Sequence, residues 1–547
     1  MNSELYSTKS ACLAVGVFAT ILYLNTIGLG FCFDDDPAIV RNKDLRSSTP
    51  WTTLLQNDFW GTPMWKEGSH KSYRPLTVLT FRLNYAIHQL SSSGYHLVNA
   101  IIHGLASALF VTFSDVTFEK TSTSLMAGLV FAAHPIHTEA VAGLVGRAEG
   151  LCAIFFMLAF LAYVKAVKKN STDWKLFLLC ILFTILSVLC KELGVTVIGV
   201  CLAYDLLALQ QASLPVLIQL AQSGQLWKRL RAFSARLAVI LAAAMGIMAL
   251  RLHIMKNIPT FLPFDNPAAF QSSPVRQLTN LYLVFVNAWL LLCPAGLLAD
   301  WSMGTIPLVQ GFSDQRNLLT LLTFTVLALI GFSAILGTRR RNRILVLAIS
   351  ILVIPFIPAS NLFFSVGFTV AERILYIPSM GFSLLLGLAF ENLLHRKITG
   401  KLVRVGFLGL LVLFSAKTFV RNYQWDSDFT IFSAALRVTQ SNAKVYSNIG
   451  HYYQFRQQPE LADKYFSQSV IVQPNDVGAW MNVAENSLVL KDRKRCIEVC
   501  AGWLLIRSII GGRVCLCLYF AVVSRLECAG KNPRQRFASK SLMFVVT

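Results

Sequence analysis

Three consecutive carboxylates, Asp34, Asp35 and Asp36, follow Phe33 and precede Pro37. Like charges this close resist ionising together, so at least one is expected to carry a raised pKa and to accept a proton near neutral pH. The same residues also suit a polar helix stop. Arg74 and Arg82 offer guanidinium groups that either bind phosphate oxygens bidentately or are simply solvated. A second polar stretch, His134-Pro135-Ile136-His137-Thr138-Glu139, has Arg147 and Glu149 behind it. Such groups cost about 2.5 to 3.5 kcal/mol each for Arg or Asp at the centre of a bilayer, so a cluster of them implies a polar cavity. His134, His137 and Glu139 are metal-ligand types, but no further ligand follows at a metal-site spacing. Lys191-Glu192 and Glu372-Arg373 complete the set, each readable as an ion pair between helices or as part of a site.

What must position these residues is a membrane. Hydrophobic residues make up 55% of the 547 and charged residues only 14%, against roughly 25% charged in a soluble domain. Most of the chain must therefore face lipid. The formal net charge of +21 does not indicate nucleic acid, because the basic residues fall in tight groups between apolar runs, which is a topology signal. These groups are Lys165, Lys168, Lys169 and Lys175; Lys228, Arg229, Arg231 and Arg236; Arg339, Arg340, Arg341 and Arg343; and Arg396, Lys397, Lys401 and Arg404. All four are expected on the cytosolic side, which requires an even number of crossings between any two.

Parity then organises the chain. The first apolar run, Ala11 to Leu29, reads as a retained anchor, since no small-residue cleavage site precedes Phe31. The run 124–142 is interrupted by His134-Pro135, and 278–298 is expected not to cross, because it lies in a polar, Pro-rich stretch from Lys256 to Arg316. The total is about 11 crossings, with a cytosolic N-terminus and everything after residue 421 on the face that carries Asp34. The sequon Asn170-Ser171-Thr172 falls on the cytosolic side and should be unused. Residues 31–95 form a polar, aromatic first loop suited to the membrane interface. The loops bearing Asp34, His134, Glu192 and Arg373 share one face, the convergence a membrane-embedded active site needs. The cysteines lie mostly in apolar segments without CxxC pairs and read as packing residues.

The last part of the chain changes character. Tyr446, Ile449, Gly450, Tyr453, Ala462, Phe466 and Pro474 match the tetratricopeptide pattern, and Trp480 opens a second repeat in phase. Cys496 and Cys500 stand at that repeat's Ala and Phe sites, and the pattern then gives way to an atypical Cys-rich tail over 496–547.

Taken together, Phe33-Asp34-Asp35, Ser69 to Phe81 (SHKSYRPLTVLTF), Gly94 to Asn99 (GYHLVN), His134 to Ala140 (HPIHTEA), Gly146-Arg147-Ala148, Cys190-Lys191-Glu192, Asp300 to Gly304 (DWSMG), Pro358 to Phe364 (PASNLFF) and Ala371 to Tyr376 resemble the TMTC family of transmembrane and tetratricopeptide repeat proteins, with the fourth vertebrate member looking nearest. The resemblance covers roughly residues 10 to 490. It implies an all-α polytopic membrane protein with a GT-C type glycosyltransferase fold over residues 1–420, followed by a short helix-turn-helix repeat segment over 421–495. It further implies residence in the endoplasmic reticulum membrane and transfer of mannose from dolichyl phosphate mannose to cadherin-type acceptor proteins. Membrane lipids are its surroundings, and no nucleic acid is expected. In related protein O-mannosyltransferases an acidic pair after the first helix supplies the base, and Asp34-Asp35 match it. The family's long repeat array is nearly absent here.

Joined to the charge pattern, this predicts a single inverting displacement in which Asp34 takes the acceptor hydroxyl proton and Asp35 orients the acceptor or raises the pKa of Asp34. Arg74, Arg147 and Arg373 would hold the departing phosphate, with His134, His137, Glu139, Lys191 and Glu192 around a polar cavity and no metal or cofactor. Two other classes compete. A non-catalytic membrane adaptor would recruit partners through the repeats, and a transporter would use the intramembrane charge, although no inverted repeat of hydropathy relates the two halves.

Overall fold

In the computed structural model, residues 7–167, 171–210, 219, 221–256, 261–336, 339–394 and 400–499 are described. Among them the regular structure is helical. Nine segments among the described residues are long and apolar enough to cross a membrane: Thr8–Thr26, Ser92–Phe118, Leu144–Ala166, Glu192–Leu209, Leu230–Met255, Val275–Leu292, Arg316–Leu336, Arg340–Ala359 and Gly400–Asp426. Three shorter apolar helices, Thr121–Ala133, Trp174–Cys190 and Pro378–Leu394, accompany them. This is an all-α polytopic membrane protein. Every apolar run read from the sequence before residue 421 is one of these twelve, and Val275–Leu292 has the length and apolarity of the others, so its reading as non-crossing rests on charge parity and on its polar, Pro-rich flanks.

The chain divides into two compact units, residues 1–299 with 308–427, and residues 300–307 with 428–547. In the first unit, α1 (Thr8–Leu22) packs along α3 (Ser92–Phe118), where Gly16 and Gly104 let the backbones approach; a Cβ at Gly104 would collide with the Thr20 hydroxyl. In the chain between them, α2 (Pro75–His88) follows the first loop, starting at Pro75, whose missing N–H costs nothing in a first turn. The helix α4 (Thr121–Ala133) stops where His134-Pro135 forbids continuation. A tight turn at Pro135–His137 and the single helical turn α5 (Thr138–Val141) follow, leading into α6 (Arg147–Ala166).

The segment containing α6 is 78% buried and forms the centre, its Phe160 packed on Phe113 in a core that includes Phe110 and Phe131; the spans Arg316–Leu336 and Gly400–Asp426 are only 11% buried. That contrast distinguishes an axis from a lipid-facing periphery. Helix α7 (Trp174–Cys190) is capped by Asp173, which accepts from the Lys175 and Leu176 N–H groups at 3.1 and 3.4 Å. It returns along α6, and the next span begins at Glu192, with α8 (Val197–Ala203) as its regular part. Then come α9 (Leu226–Met255), α10 (Val275–Leu292), α11 (Arg316–Leu336), α12 (Arg339–Val353), α13 (Pro378–Leu394) and α14 (Gly400–Asn422).

The basic groups are less uniformly solvent-facing than the sequence suggests. Arg236 is fully buried on Asp205 at 2.7 Å, with Tyr163 and Gln210 donating to the same carboxylate at 2.9 and 3.0 Å. An intramembrane charge is tolerated when it is paired.

In the second unit, α15 (Asp428–Leu436) precedes α16 (Ala443–Phe455), α17 (Pro459–Val472) and α18 (Val477–Val489). Gly450 has no room for a Cβ against the Phe466 ring, and Ile449, Ala462 and Phe466 are fully buried, so the positions matched to the repeat pattern are those that pack the hairpin. The sequon at Asn170 and the tail from residue 500 lie outside the described residues.

Candidate active site

The chain beyond α1 makes a tight turn at Leu24–Thr26 and reaches Phe33 with φ 52°, uncommon for a bulky side chain. The helix thus ends well before the acidic triplet, and the three carboxylates find different partners. Asp34 is about a quarter exposed and accepts from Arg373 Nη1 at 3.1 Å. Asp35 is buried and accepts from the Val145 and Cys32 backbone N–H groups at 3.2 and 3.3 Å. Asp36 pairs with Arg41 on the exposed side. The raised pKa expected somewhere in the triplet belongs to Asp35, which is pushed up to about 8; burial is the main cause, the backbone bonds oppose it, and the Asp34 charge adds to it.

Arg373 also faces Glu139, with Nε at 3.4 Å from Oε1 and its backbone N–H donating to Oε2 at 2.8 Å. One arginine thereby links the loop after α1 to α5. Burial alone would lower its pKa, but Glu139, Asp34 and Glu149 hold it above the usual guanidinium range, so it stays charged. Arg373 is thus paired with neither Glu192 nor Glu372.

Lys191, at the end of α7, is buried and paired with Glu149 on the first turn of α6. Burial and the neighbouring Arg74 and Arg373 lower its pKa, with Glu149 opposing. Glu192 accepts from Arg74 through Nε at 3.2 Å and Nη2 at 3.0 Å, and from Arg251 Nη2 at 2.9 Å. Since Arg373 and Arg74 both act on Lys191, these pairs make one electrostatic unit of four carboxylates and four cations. Glu149 belongs to the polar stretch read from the sequence, but Arg251 was not among the expected site residues. Arg251 sits in the apolar run 237–254, and a lone cation inside a hydrophobic span is the signal that would have exposed it.

Other expected members are elsewhere. Arg147 is fully buried at the junction of α2, α3 and α6, donating to Asn99 Oδ1 at 2.7 Å, the Tyr95 carbonyl at 3.1 Å and the Thr80 carbonyl at 3.3 Å, with its guanidinium 4.4 Å from the centre of the Phe81 ring. It has no face left for a phosphate. Arg82 is spent on the Asp44 and Thr49 carbonyls at 2.9 and 2.6 Å. His134 bonds the Leu291 carbonyl through Nε2 at 2.9 Å and accepts from the Ile136 N–H on Nδ1 at 3.1 Å. His137 bonds Ser379 at 2.8 Å and packs on Tyr376 and Phe131 at 4.5 and 4.6 Å between ring centres. Burial lowers the pKa of both imidazoles, so they are neutral packing groups in an aromatic cluster and not members of the charged cavity. His134, His137 and Glu139 bond to different partners, and no group of three or more metal-ligand side chains gathers among the described residues.

The arrangement is a partly exposed carboxylate, Asp34, beside a partly exposed guanidinium group, Arg373, with a second, Arg74, paired to Glu192 in the same ionic network. Chemically, that suits removal of a proton next to an anion-holding cation.

A family model described as protein O-mannosyl-transferase TMTC, DUF1736, matches residues 255–328. The chain is 43% identical over 509 residues to protein O-mannosyl-transferase TMTC3 of Mus musculus, covering 92% of this chain and 55% of that protein. It is 41% identical over 470 residues to TMTC4 of Homo sapiens, covering 80% and 63%, and 37% identical over 496 residues to TMTC2 of Homo sapiens, covering 79% and 58%. The chain spans little more than half the length of these curated relatives, and its identity to the third member slightly exceeds that to the fourth.

Proposed function

We propose, from the premise that this chain belongs to the TMTC family, that it is a protein O-mannosyltransferase of the endoplasmic reticulum membrane, using dolichyl phosphate mannose as donor and cadherin-type domains as acceptors. The observation that carries this reading is the position of Asp34, the one acid of its triplet both partly exposed and in contact with Arg373 inside the ionic cluster. As the Ser or Thr oxygen attacks the anomeric carbon, Asp34 takes the hydroxyl proton. The bond from that carbon to the phosphate oxygen breaks, and its electron pair leaves with dolichyl phosphate, inverting the centre. The departing phosphate exchanges onto Arg373 and Arg74, whose partners Glu139 and Glu192 hold the two guanidinium groups in place. Asp35 is a positioning residue: its carboxyl ties the loop to the turn at Val145.

The test is mannose transfer from dolichyl phosphate mannose to a purified cadherin-type domain by purified protein. Transfer by the wild type and its loss in Asp34→Asn, with donor binding retained, is the expected result. Equal transfer by a folded Asp34→Asn protein would remove the base from this position, and wild-type protein that binds donor without transferring would favour a membrane adaptor.

A further inference from the structure

Away from the ionic cluster, three helices of the first unit surround a groove of about 300 Å³, at the lower bound of small-molecule sites. Helix α11 contributes Val326, Leu329, Ile330 and Ser333, spaced so that all four share one helix face. Helix α13 contributes Leu385, Leu388, Ala389 and Asn392 in the same spacing, and α12 contributes Arg341 and Leu345, one turn apart. On α11 and α13 the polar residue comes last along the chain, and on α12 it comes first. Since α12 and α13 pack side by side, and α11 and α12 do likewise, Ser333, Arg341 and Asn392 gather at one end and leave the other end purely apolar.

The polar end carries an uncommitted cation. Arg340 pairs with Glu391 at 3.0 Å and donates to the Phe118 carbonyl, and Arg343 pairs with Glu119 at 2.8 Å. Between them Arg341 is exposed and has no partner among the described residues. Asn392 lies 14 residues beyond the start of α13 at Pro378, about 21 Å along the helix at 1.5 Å per residue. Arg373 precedes that start, so this end of the groove and the carboxylate cluster belong to opposite ends of the helix bundle. It is also the end where basic residues concentrate, the signature of the leaflet that carries anionic lipid.

We infer that this groove is a binding site for one anionic glycerophospholipid, its phosphate on Arg341 with Asn392 and Ser333 as hydrogen-bonding neighbours, and an acyl chain lying along Val326, Leu329, Leu345, Leu385 and Leu388. The gradient from cation to apolar wall matches that of the lipid, and a sugar donor used at the other end of the bundle would have its own phosphate on the wrong side.

The test reconstitutes purified protein in phosphatidylcholine vesicles with and without phosphatidylserine, re-extracts it in mild detergent and weighs retained lipid by native mass spectrometry. The wild type is expected to keep one phosphatidylserine with about fivefold preference over phosphatidylcholine, the contribution of one interfacial cation. Arg341→Gln should retain both lipids equally and Arg341→Lys should restore the preference, all at unchanged thermal midpoint. Val326→Trp, which fills the groove from its exposed side, should lose both lipids, and it carries the test if Arg341→Gln does not fold. Equal retention of the two lipids by the wild type, a preference that survives Arg341→Gln, lipid kept by folded Val326→Trp, or displacement by dolichyl phosphate in preference to phosphatidylserine would each overturn the inference.

Discussion

Asp34 and Asp36 stand two residues apart, yet one meets Arg373 in the ionic cluster and the other pairs with Arg41 on the exposed side. General-base removal costs about 10² to 10⁴ in rate, so Asp34→Asn should lose transfer by that order and Asp36→Asn should leave it unchanged, as single-turnover mannose transfer would report. Asp35 makes a separate prediction. Its value in the folded protein, about 8, lies above its ordinary value of 3.8, so the unfolded chain ionises first as pH rises. The stabilising contribution of its protonated form is complete below about pH 4, declines as pH climbs, and is gone above about pH 8. Asp35→Asn, which cannot ionise, should therefore gain in thermal midpoint relative to the wild type across that interval and hold a constant offset above it. Parallel midpoint curves would show that Asp35 does not titrate with folding.

Arginines that look alike in the sequence separate by the elements they join. Arg147 satisfies one side-chain and two carbonyl acceptors where α2, α3 and α6 meet. Removing it leaves the buried Asn99 Oδ1 without this donor, at about 1 to 3 kcal/mol, and takes a second bond from two helix carbonyls. Arg147→Gln should accordingly lower folded yield and thermal midpoint, while the fraction that folds binds donor as the wild type does. Arg373→Gln should do the opposite, since its guanidinium is partly exposed and bridges two elements that other contacts also hold: folding is expected to persist and donor affinity to fall. A dissociation constant for lipid-linked donor, measured per folded molecule, separates the two.

At the scale of the whole chain, charge parity in the sequence predicts that residues after 421 lie on the side of the membrane opposite the basic groups. Asn442 itself is a buried helix cap, accepting from the Lys444 N–H at 3.0 Å, so a glycan cannot be placed there without cost. Gln457, exposed in the turn between α16 and α17 with φ 58°, is a position where Asn is tolerated. The double change Gln457→Asn with Pro459→Thr should acquire a glycan in microsomes, read as a mobility shift reversed by endoglycosidase, and native Asn170 should not. The reverse pattern would invert the topology.

Hydropathy, charge grouping and the repeat positions were legible in order along the chain because lipid imposes one requirement on every span: bury the backbone bonds within a helix and expose apolar side chains. Each apolar run became a helix for that reason, and Gly450 and Phe466 were recognisable because their packing is local to one hairpin. Which ionisable groups meet is not a local property. Asp34 and Arg373 are 339 residues apart in the chain, Arg251 enters from near the end of an apolar run, and His134 and His137 turn away into an aromatic cluster although the same short motif contains Glu139. Sequence carried the inventory of charge; tertiary packing decided its partners, because in a low-dielectric interior each charge must find its counter-ion wherever the helices bring one within reach.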